Sequence, residues 1–336
     1  MEKKRMRLIS AIKPTGILTL GNYIGLIKNL EKIQNEFDEI FIFIADLHAL
    51  TFPIDPKILE ENSKKIAAFF LASNLDMKKT ILFLQSDVPE HSELNTILQN
   101  FLYIGEMNRM TQFKQKAREG QKNNLSLGFF AYPSLMCADI VLHNANVVPV
   151  GDDQIQHIEL TRKLVERFNN RYNKNIFVLP KAEINDIGYR IMDLKNPLVK
   201  MSKSSSQAGT ISIDDSDDII RKKIMSAVTD SDSKIKYDVK NKPGISNLLV
   251  IYASLKKKDL KKCEEYFKNY KYSEFKREVA NAVVEELSLF RKKYMKFLQG
   301  NKYITDVLHK GSEKARLVAS KTLKKVKKII GFYGKK

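Results

Sequence analysis

Three short stretches carry the residue types that phosphate chemistry needs. The first, residues 10–22, reads S-A-I-K-P-T-G-I-L-T-L-G-N. It leaves a short apolar run (Leu8, Ile9, Ile12), passes Pro14 and Gly16, and arrives at Gly21 and Asn22. There a helical pattern begins, with Ile24, Ile27, Leu30, Ile33 and Phe37 on one face. A strand, a Gly/Pro turn and a helix open many nucleotide-binding α/β domains. The unpaired N–H groups at such a helix start suit a phosphate. The second stretch, Gly151-Asp152-Asp153-Gln154, is an acidic helix start. The third, residues 199–209, is small and polar and holds Lys200, Met201, Ser202, Lys203 and Ser204. Taken singly, each has a plain alternative: an empty strand–turn–helix unit, an N-terminal charge preference and a solvated loop. A lone acid, Asp139, lies among Leu135, Met136, Cys137, Ala138, Ile140 and Val141. Buried, that carboxylate must find donors; otherwise it marks the exposed turn of an amphipathic helix.

The elements that must position these residues alternate between strand and helix over the first two-thirds of the chain. Residues 40–45 (I-F-I-F-I-A) form a continuous apolar run, expected of a strand buried on both faces, with Asp46-Leu47-His48 at its end. The pattern predicts helix over 59–71, strand over 81–84 ending in Gln85-Ser86-Asp87, and helix over 94–102. A polar basic loop is expected over 109–124, helix over 135–142, strand over 147–150, a long helix from Gly151, and a last strand over 176–179. Composition shifts near Pro197, beyond which the period is helical and increasingly basic.

The balance of 58 Lys+Arg against 39 Asp+Glu leaves a net charge of +19, for which a polyanionic partner or a lysine-rich genomic bias would account. No apolar run approaches the roughly 18–20 residues of a membrane span, and no apolar segment follows the basic N-terminus as in a signal peptide. Two cysteines, Cys137 and Cys263, make neither a disulfide framework nor a metal cluster and fit a cytoplasmic location.

In this order and at these separations the stretches resemble the class I aminoacyl-tRNA synthetases, and among those the tryptophanyl-tRNA synthetases. The first is similar to the family's HIGH-type motif in its T-x-G-N form, and Lys200 to Ser204 spell its KMSKS motif. The likeness continues through Asp46-Leu47-His48-Ala49, Gly105-Glu106-Met107-x-Arg109-Met110-Thr111-Gln112-Phe113-Lys114 and Leu135-Met136-x-Ala138-Asp139-Ile140. It runs on through Val148-Pro149-Val150-Gly151-x-Asp153-Gln154-x-x-His157, Arg190-Ile191-Met192 and Pro243-Gly244-Ile245-Ser246-Asn247-Leu248.

The resemblance implies an α/β fold: a Rossmann-like parallel-sheet catalytic domain over 1–202, with dimerisation helices at about 105–170. A helical anticodon-binding domain over 203–301 and a basic helix over 302–336 packed back on the catalytic domain would follow. It implies ATP-dependent activation of L-tryptophan and transfer to tRNA(Trp) by a homodimer, with Mg²⁺ held through phosphates and water and no protein metal site. Lys13, Pro14, Thr15, Gly21 and Asn22 would meet ATP. Gly151, Asp152 and Asp153 would hold the ribose, and Ile191 and Met201 would flank the adenine. Lys200, Ser202, Lys203 and Ser204 would close over the triphosphate, with Asn22, Lys200, Ser202 and Lys203 carrying the catalysis. Asp139 would accept the indole N–H, Met136, Val148 and Val150 would wall the ring, and Tyr132, His48 and Gln154 would neighbour the amino and carboxylate groups.

Two departures stand inside this pattern. Ala11 and Lys13 replace the family's glycine and glutamine, and Ser205-Ser206 replace the Asp-Pro that usually follows the lysine motif. Lys13 brings a cation beside the substrate carboxylate and α-phosphate. Three rival readings remain: a tyrosyl-tRNA synthetase, another adenylyltransferase with a similar loop, and an inactive paralogue acting as an RNA-binding module.

Overall fold

The computed structural model describes residues 5–118, 125–183, 190–201 and 207–333. Five parallel strands form one sheet in the order β3-β2-β1-β4-β5: β1 (Arg7–Ile12), β2 (Glu39–Ile44), β3 (Thr80–Leu84), β4 (Val147–Pro149) and β5 (Lys181–Glu183). β2 is the most deeply buried strand, its Ile40 to Ile44 run packed on both faces, as its unbroken apolar sequence requires. The strand order reverses between β1 and β4, so the crevice at the carboxyl ends of those two strands is where an α/β sheet takes its ligand.

Between β1 and β2 the chain turns through Gly16, whose positive φ of 79° suits a residue without a side chain. It then enters a composite helix: α1 (Leu20–Asn22), a π-helical turn (Tyr23–Lys28) and α2 (Asn29–Ile33). The sequence period predicts one regular helix here. The widened turn occurs where the Tyr23 hydroxyl and the Lys28 ammonium both reach Glu286, at 2.6 and 2.5 Å. α3 (Asp46–Ala49) follows β2, and α4 (Pro56–Leu71) is capped by Asp55, with Pro56 at its first position. α5 (Glu90–Leu98) and a 3₁₀ turn to Phe101 follow β3, so this helix starts four residues before its apolar period.

Two expectations need correction. Residues 109–124 are not all loop: α6 (Ile104–Met107) leads into α7 (Thr111–Lys116), where Phe113 packs edge-on against Phe130 at 4.9 Å. The apolar run at 176–179 is not a strand. Asn169 Oδ1 takes the N–H groups of Ile176 and Phe177, and its Nδ2 donates to the Phe177 carbonyl, so those groups are diverted from a ladder. The fifth strand begins after Pro180 instead.

α8 (Leu127–Leu142) and α9 (Ile155–Tyr172) pack together on one side of the sheet. The remaining helices are α10 (Asp217–Met225), α11 (Pro243–Lys256), α12 (Leu260–Phe267), α13 (Tyr272–Gln299) and α14 (Asn301–Ile330). α11 and α13 share an apolar core with α4 and the composite helix, while α14 lies along β3 and α5 and covers that sheet edge. Its approach is close: a Cβ at Gly311 would fall 1.8 Å from the Leu82 carbonyl oxygen. No helix among the described residues is long and apolar enough to cross a membrane.

Candidate active site

A cleft of about 610 Å³ opens at the carboxyl ends of β1 and β4. One side of it is the start of the composite helix. Thr19 caps that helix, its Oγ1 accepting the Asn22 N–H at 3.2 Å, while Asn22 Oδ1 accepts from the Thr19 N–H and hydroxyl at 3.0 and 3.1 Å. Both lone pairs of the Asn22 carbonyl are thereby engaged, which fixes the amide and leaves Nδ2 as its donating end toward the cleft it lines.

The facing wall is a small hairpin. Met192 and Lys200 pair across it, Met201 N–H donates to the Ile191 carbonyl at 2.9 Å, and Asp193 N–H donates to the Val199 carbonyl at 2.8 Å. Downstream, the Leu194 N–H meets the Gly209 carbonyl, and residues 18–20 pair with 211–213. The downstream flank of the lysine motif is thus anchored to the segment that carries Asn22, and the upstream flank to residues 191–193. A Cβ on Gly21 would rest 3.6 Å from the Met201 carbonyl and 3.8 Å from Ile191. Lys200 and Met201 line the cleft with Gly21 and Asn22. Ser202, Lys203 and Ser204, with Ser205 and Ser206, lie outside the described residues.

The other expected positions fall around the same cavity. Lys13, Thr15, Gly151, Asp152, Asp153 and Ile191 line it, as do His48, Tyr132, Met136, Asp139, Val148, Val150 and Gln154. Pro14 does not: it is buried below the surface, with its carbonyl accepting from Asn62 at 3.2 Å. Lys13 and Ala11 stand at the cleft wall; Lys13 as a whole is exposed, but partial desolvation of its amine there lowers its pKa.

Asp139 is 1% exposed, so the exposed-turn alternative fails. Its Oδ1 accepts from Gln85 Nε2 at 2.8 Å and His91 Nδ1 at 2.7 Å; its Oδ2 accepts from His48 Nε2 at 2.8 Å. Burial opposes ionisation, but the His48 and His91 hydrogen bonds outweigh it and hold the carboxyl well below its usual range. A carboxylate offers about four acceptor positions. Among the described residues three donors occupy the Asp139 carboxylate, leaving the fourth position, on Oδ2, for a donor in the cleft.

A second polar chain starts at Tyr132, whose hydroxyl contacts Gln112 Oε1 at 2.9 Å and His157 Nε2 at 2.7 Å. Burial brings the His157 pKa down to about 4, so the ring is neutral and its Nε2 proton goes to the Tyr132 oxygen, while that hydroxyl donates to Gln112. Gln112 and His157 were legible only as parts of a longer motif. His91 and His143 gave no signal of their own, although His143 sits one helical turn beyond Asp139, and Gln85, which follows β3 directly, shares the Asp139 carboxylate with His48.

The cleft therefore places an amide donor and a lysine at one end, an enclosed ionised acceptor at the other, and apolar walls between. It can hold an anion-rich group and a flat ring bearing one donor. Among the described residues no group of three or more His, Cys, Asp or Glu is arranged to hold a metal ion.

Residues 1–288 match the family of class I tRNA synthetases for tryptophan and tyrosine. The tryptophan–tRNA ligase of Oceanobacillus iheyensis is 46% identical over 325 residues, 96% of this chain and 98% of that protein. The chain belongs to the tryptophanyl-tRNA synthetase family. A member of that family from Mycoplasma pneumoniae superposes with a TM-score of 0.90 at 35% identity, covering 98% of this chain and 99% of its own. Another, from Campylobacter jejuni and solved with ADP and tryptophan, does so with a TM-score of 0.79 at 35% identity, covering 97% and 100%. Family membership sets aside the unrelated adenylyltransferase.

Proposed function

We infer that the chain activates L-tryptophan with ATP, forming tryptophanyl-adenylate and pyrophosphate, and transfers the aminoacyl group to tRNA(Trp) with release of AMP. The observation that carries this reading is Asp139: an ionised acceptor with one open position, in the same cleft as Asn22 and Lys200. An indole N–H satisfies that acceptor. Phenylalanine leaves it unpaired, which in comparable sites gives discrimination on the order of 10⁴–10⁵. Met136, Val148 and Val150 wall the ring, and the Tyr132 chain stands beside the amino-acid backbone with His48 and Gln154.

In the first step a substrate carboxylate oxygen attacks the α-phosphorus in line, and the bond to the bridging oxygen of pyrophosphate breaks. The protein's part is to position both reactants and to stabilise charge on the leaving group. Asn22 Nδ2 donates to phosphate at the helix start, and Lys200 approaches the leaving pyrophosphate. Ser202, Lys203 and Ser204 complete that contact when the motif closes over ATP, so their charge acts in the transition state. Gly151, Asp152 and Asp153 hold the ribose, and Ile191 and Met201 flank the adenine. Mg²⁺ accompanies ATP as part of the substrate, bound through phosphate and water oxygens.

The domain limits of 1–202, 203–301 and 302–336 belong to the same reading, with the middle helices binding the anticodon through phosphate and base contacts. The partner is a second copy, joined through the region of 105–170, where Leu127 is 79% exposed and which Tyr103 and Ile104, 56 and 74% exposed, immediately precede. The compartment is the cytoplasm, where the free thiols of Cys137 and Cys263 stay reduced.

The test is pyrophosphate exchange with each of the twenty amino acids in turn. Exchange with tryptophan alone is expected; exchange driven by tyrosine would overturn the assignment, and none at all would favour the inactive paralogue.

A further inference from the structure

Behind Asp139 lies a second layer of histidine that does not reach the cleft. His91 and His143 are both fully buried, and their Nε2 atoms stand 3.1 Å apart. His91 Nδ1 is 2.7 Å from Asp139 Oδ1. His143 stacks on Phe41 at 4.8 Å and meets Phe83 at 5.5 Å, and His91 lies 5.7 and 6.0 Å from Phe43 and Phe83. The Arg7 guanidinium donates to the backbone carbonyl of His143 at 3.2 Å and pins the residue in this box.

These contacts determine where the ring protons sit. Asp139 is a carboxylate, so His91 must carry a proton on Nδ1. Among the described residues His143 Nδ1 has no partner to take a proton, so the His143 proton belongs on Nε2, where it is donated to His91 Nε2; that atom is then the bare acceptor of the pair. The remaining nitrogen of His143, Nδ1, is bare and has no hydrogen-bond partner among the described residues, as this tautomer allows in an aromatic pocket.

We propose that His143 is a positioning residue for tryptophan selection, acting through His91 on Asp139. Its proton locks the His91 tautomer; His91 and Gln85 then fill both acceptor positions of Oδ1; and Oδ2 is left as the one oxygen able to take a donor from the cleft. Without the His143 proton, His91 Nε2 is left buried without a donor, and a ring that turns or admits water to satisfy it takes its Nδ1–H off Oδ1. Asp139 then turns toward its remaining donors, and the open position no longer faces the ring nitrogen. This rests on the reading of Asp139 as the indole acceptor.

The test compares L-tryptophan with L-3-benzothienylalanine, whose sulfur replaces the ring N–H, in pyrophosphate exchange by the full-length protein. Wild type must first exchange with tryptophan; if it does not, the reading of the cleft has failed before His143 is in question. His143→Phe keeps the aromatic box and removes the donor. His143→Gln keeps an N–H able to reach His91. The expected result is a fall of at least about tenfold in the tryptophan-to-analogue ratio of kcat/KM for His143→Phe. The loss should appear in KM for tryptophan, with KM for ATP unchanged and most of the ratio recovered in His143→Gln. An unchanged ratio, or equal loss for both amino acids, would overturn the proposal. Nitrogen-15 shifts of the wild-type imidazoles give a reading that does not depend on a variant folding. His91 protonated at Nδ1 and His143 at Nε2 are expected, and the reverse pair would overturn it.

Discussion

Asn247 holds both backbone polar groups of Met192: its Oδ1 accepts the Met192 N–H at 2.8 Å, and its Nδ2 donates to the Met192 carbonyl at 2.9 Å. A buried residue of α11 thereby fixes the hairpin on which Lys200 stands. Removing the amide leaves two main-chain groups without partners, about 1–3 kcal/mol each if they stay buried. Asn247→Ala is therefore expected to lower kcat for pyrophosphate exchange about tenfold or more while leaving KM for tryptophan near wild type. A changed KM for tryptophan with kcat intact would mean the hairpin does not govern the lysine.

Asp139→Asn tests the acceptor itself. Three protein donors already point at this group, and an asparagine must turn its NH₂ toward one of them. Loss of the charge inside a buried hydrogen-bonded cluster costs about 3 kcal/mol or more. The expectation is a fall in kcat/KM for tryptophan on the order of 10²-fold, with KM for ATP little changed. Steady-state exchange at varied tryptophan and varied ATP separates the two, and an equal rise in both KM values would point to general collapse of the cleft.

The sheet was legible where strands announce themselves by unbroken apolar runs, as at Ile40 to Ile44. It was not legible at β5, where Lys181-Ala182-Glu183 pairs through backbone alone and the apolar 176–179 run is taken by Asn169. The ends of the cleft could be read because Gly21-Asn22 and Lys200-Met201 form local motifs. The ring around Asp139 could not: Gln85, His91 and His48 come from different parts of the chain, and only folding brings them to one carboxylate. Burial decided what sequence left open for Asp139, since its apolar neighbours fit either face of a helix. The π-helical turn after Asn22 was also hidden, because its partner Glu286 lies more than 250 residues away.

Acid should weaken the fold before ordinary carboxylates titrate. Burial holds His143 well below its usual pKa and His157 at about 4, so both rings are neutral in the native state. His143 is faced by His91, Asp139 and Arg7, and His157 by Tyr132, Asp153 and His48. The unfolded chain takes up these two protons near pH 6.5 and the folded chain does not. The stabilisation is therefore complete above about 6.5 and declines as pH falls toward 4, by at most about 1.4 kcal/mol per pH unit for each ring. Urea midpoints measured from pH 7.5 to 5 should drop, and a flat profile across that range would show the rings are not neutral in the fold.

Gly311 sets the approach of α14 to β3. A methyl there would meet the Leu82 carbonyl at 1.8 Å, and main-chain atoms of a sheet edge cannot move aside as a side chain could. Overpacking of this kind costs about 1–3 kcal/mol, set against the ~1 kcal/mol that alanine gains over glycine within a helix. Gly311→Ala should lower the melting temperature by a few degrees and leave exchange activity at 25 °C unchanged. A higher melting temperature would show that α14 does not lie so close.

Lys13 places a cation at the cleft wall, where the resemblance of the motif leads one to expect a neutral glutamine. Partial desolvation of its amine lowers its pKa, and an anion bound in the cleft favours the charged form. The anions within reach are the tryptophan carboxylate and the α-phosphate of ATP. Lys13→Gln should therefore raise KM for tryptophan and for ATP several-fold, and should leave unchanged or improve the binding of tryptamine, which keeps the indole and lacks the carboxylate. Inhibition of exchange by tryptamine, measured for both proteins, reads this directly. Equal inhibition constants together with equal KM values would mean that the amine does not act on the reactants.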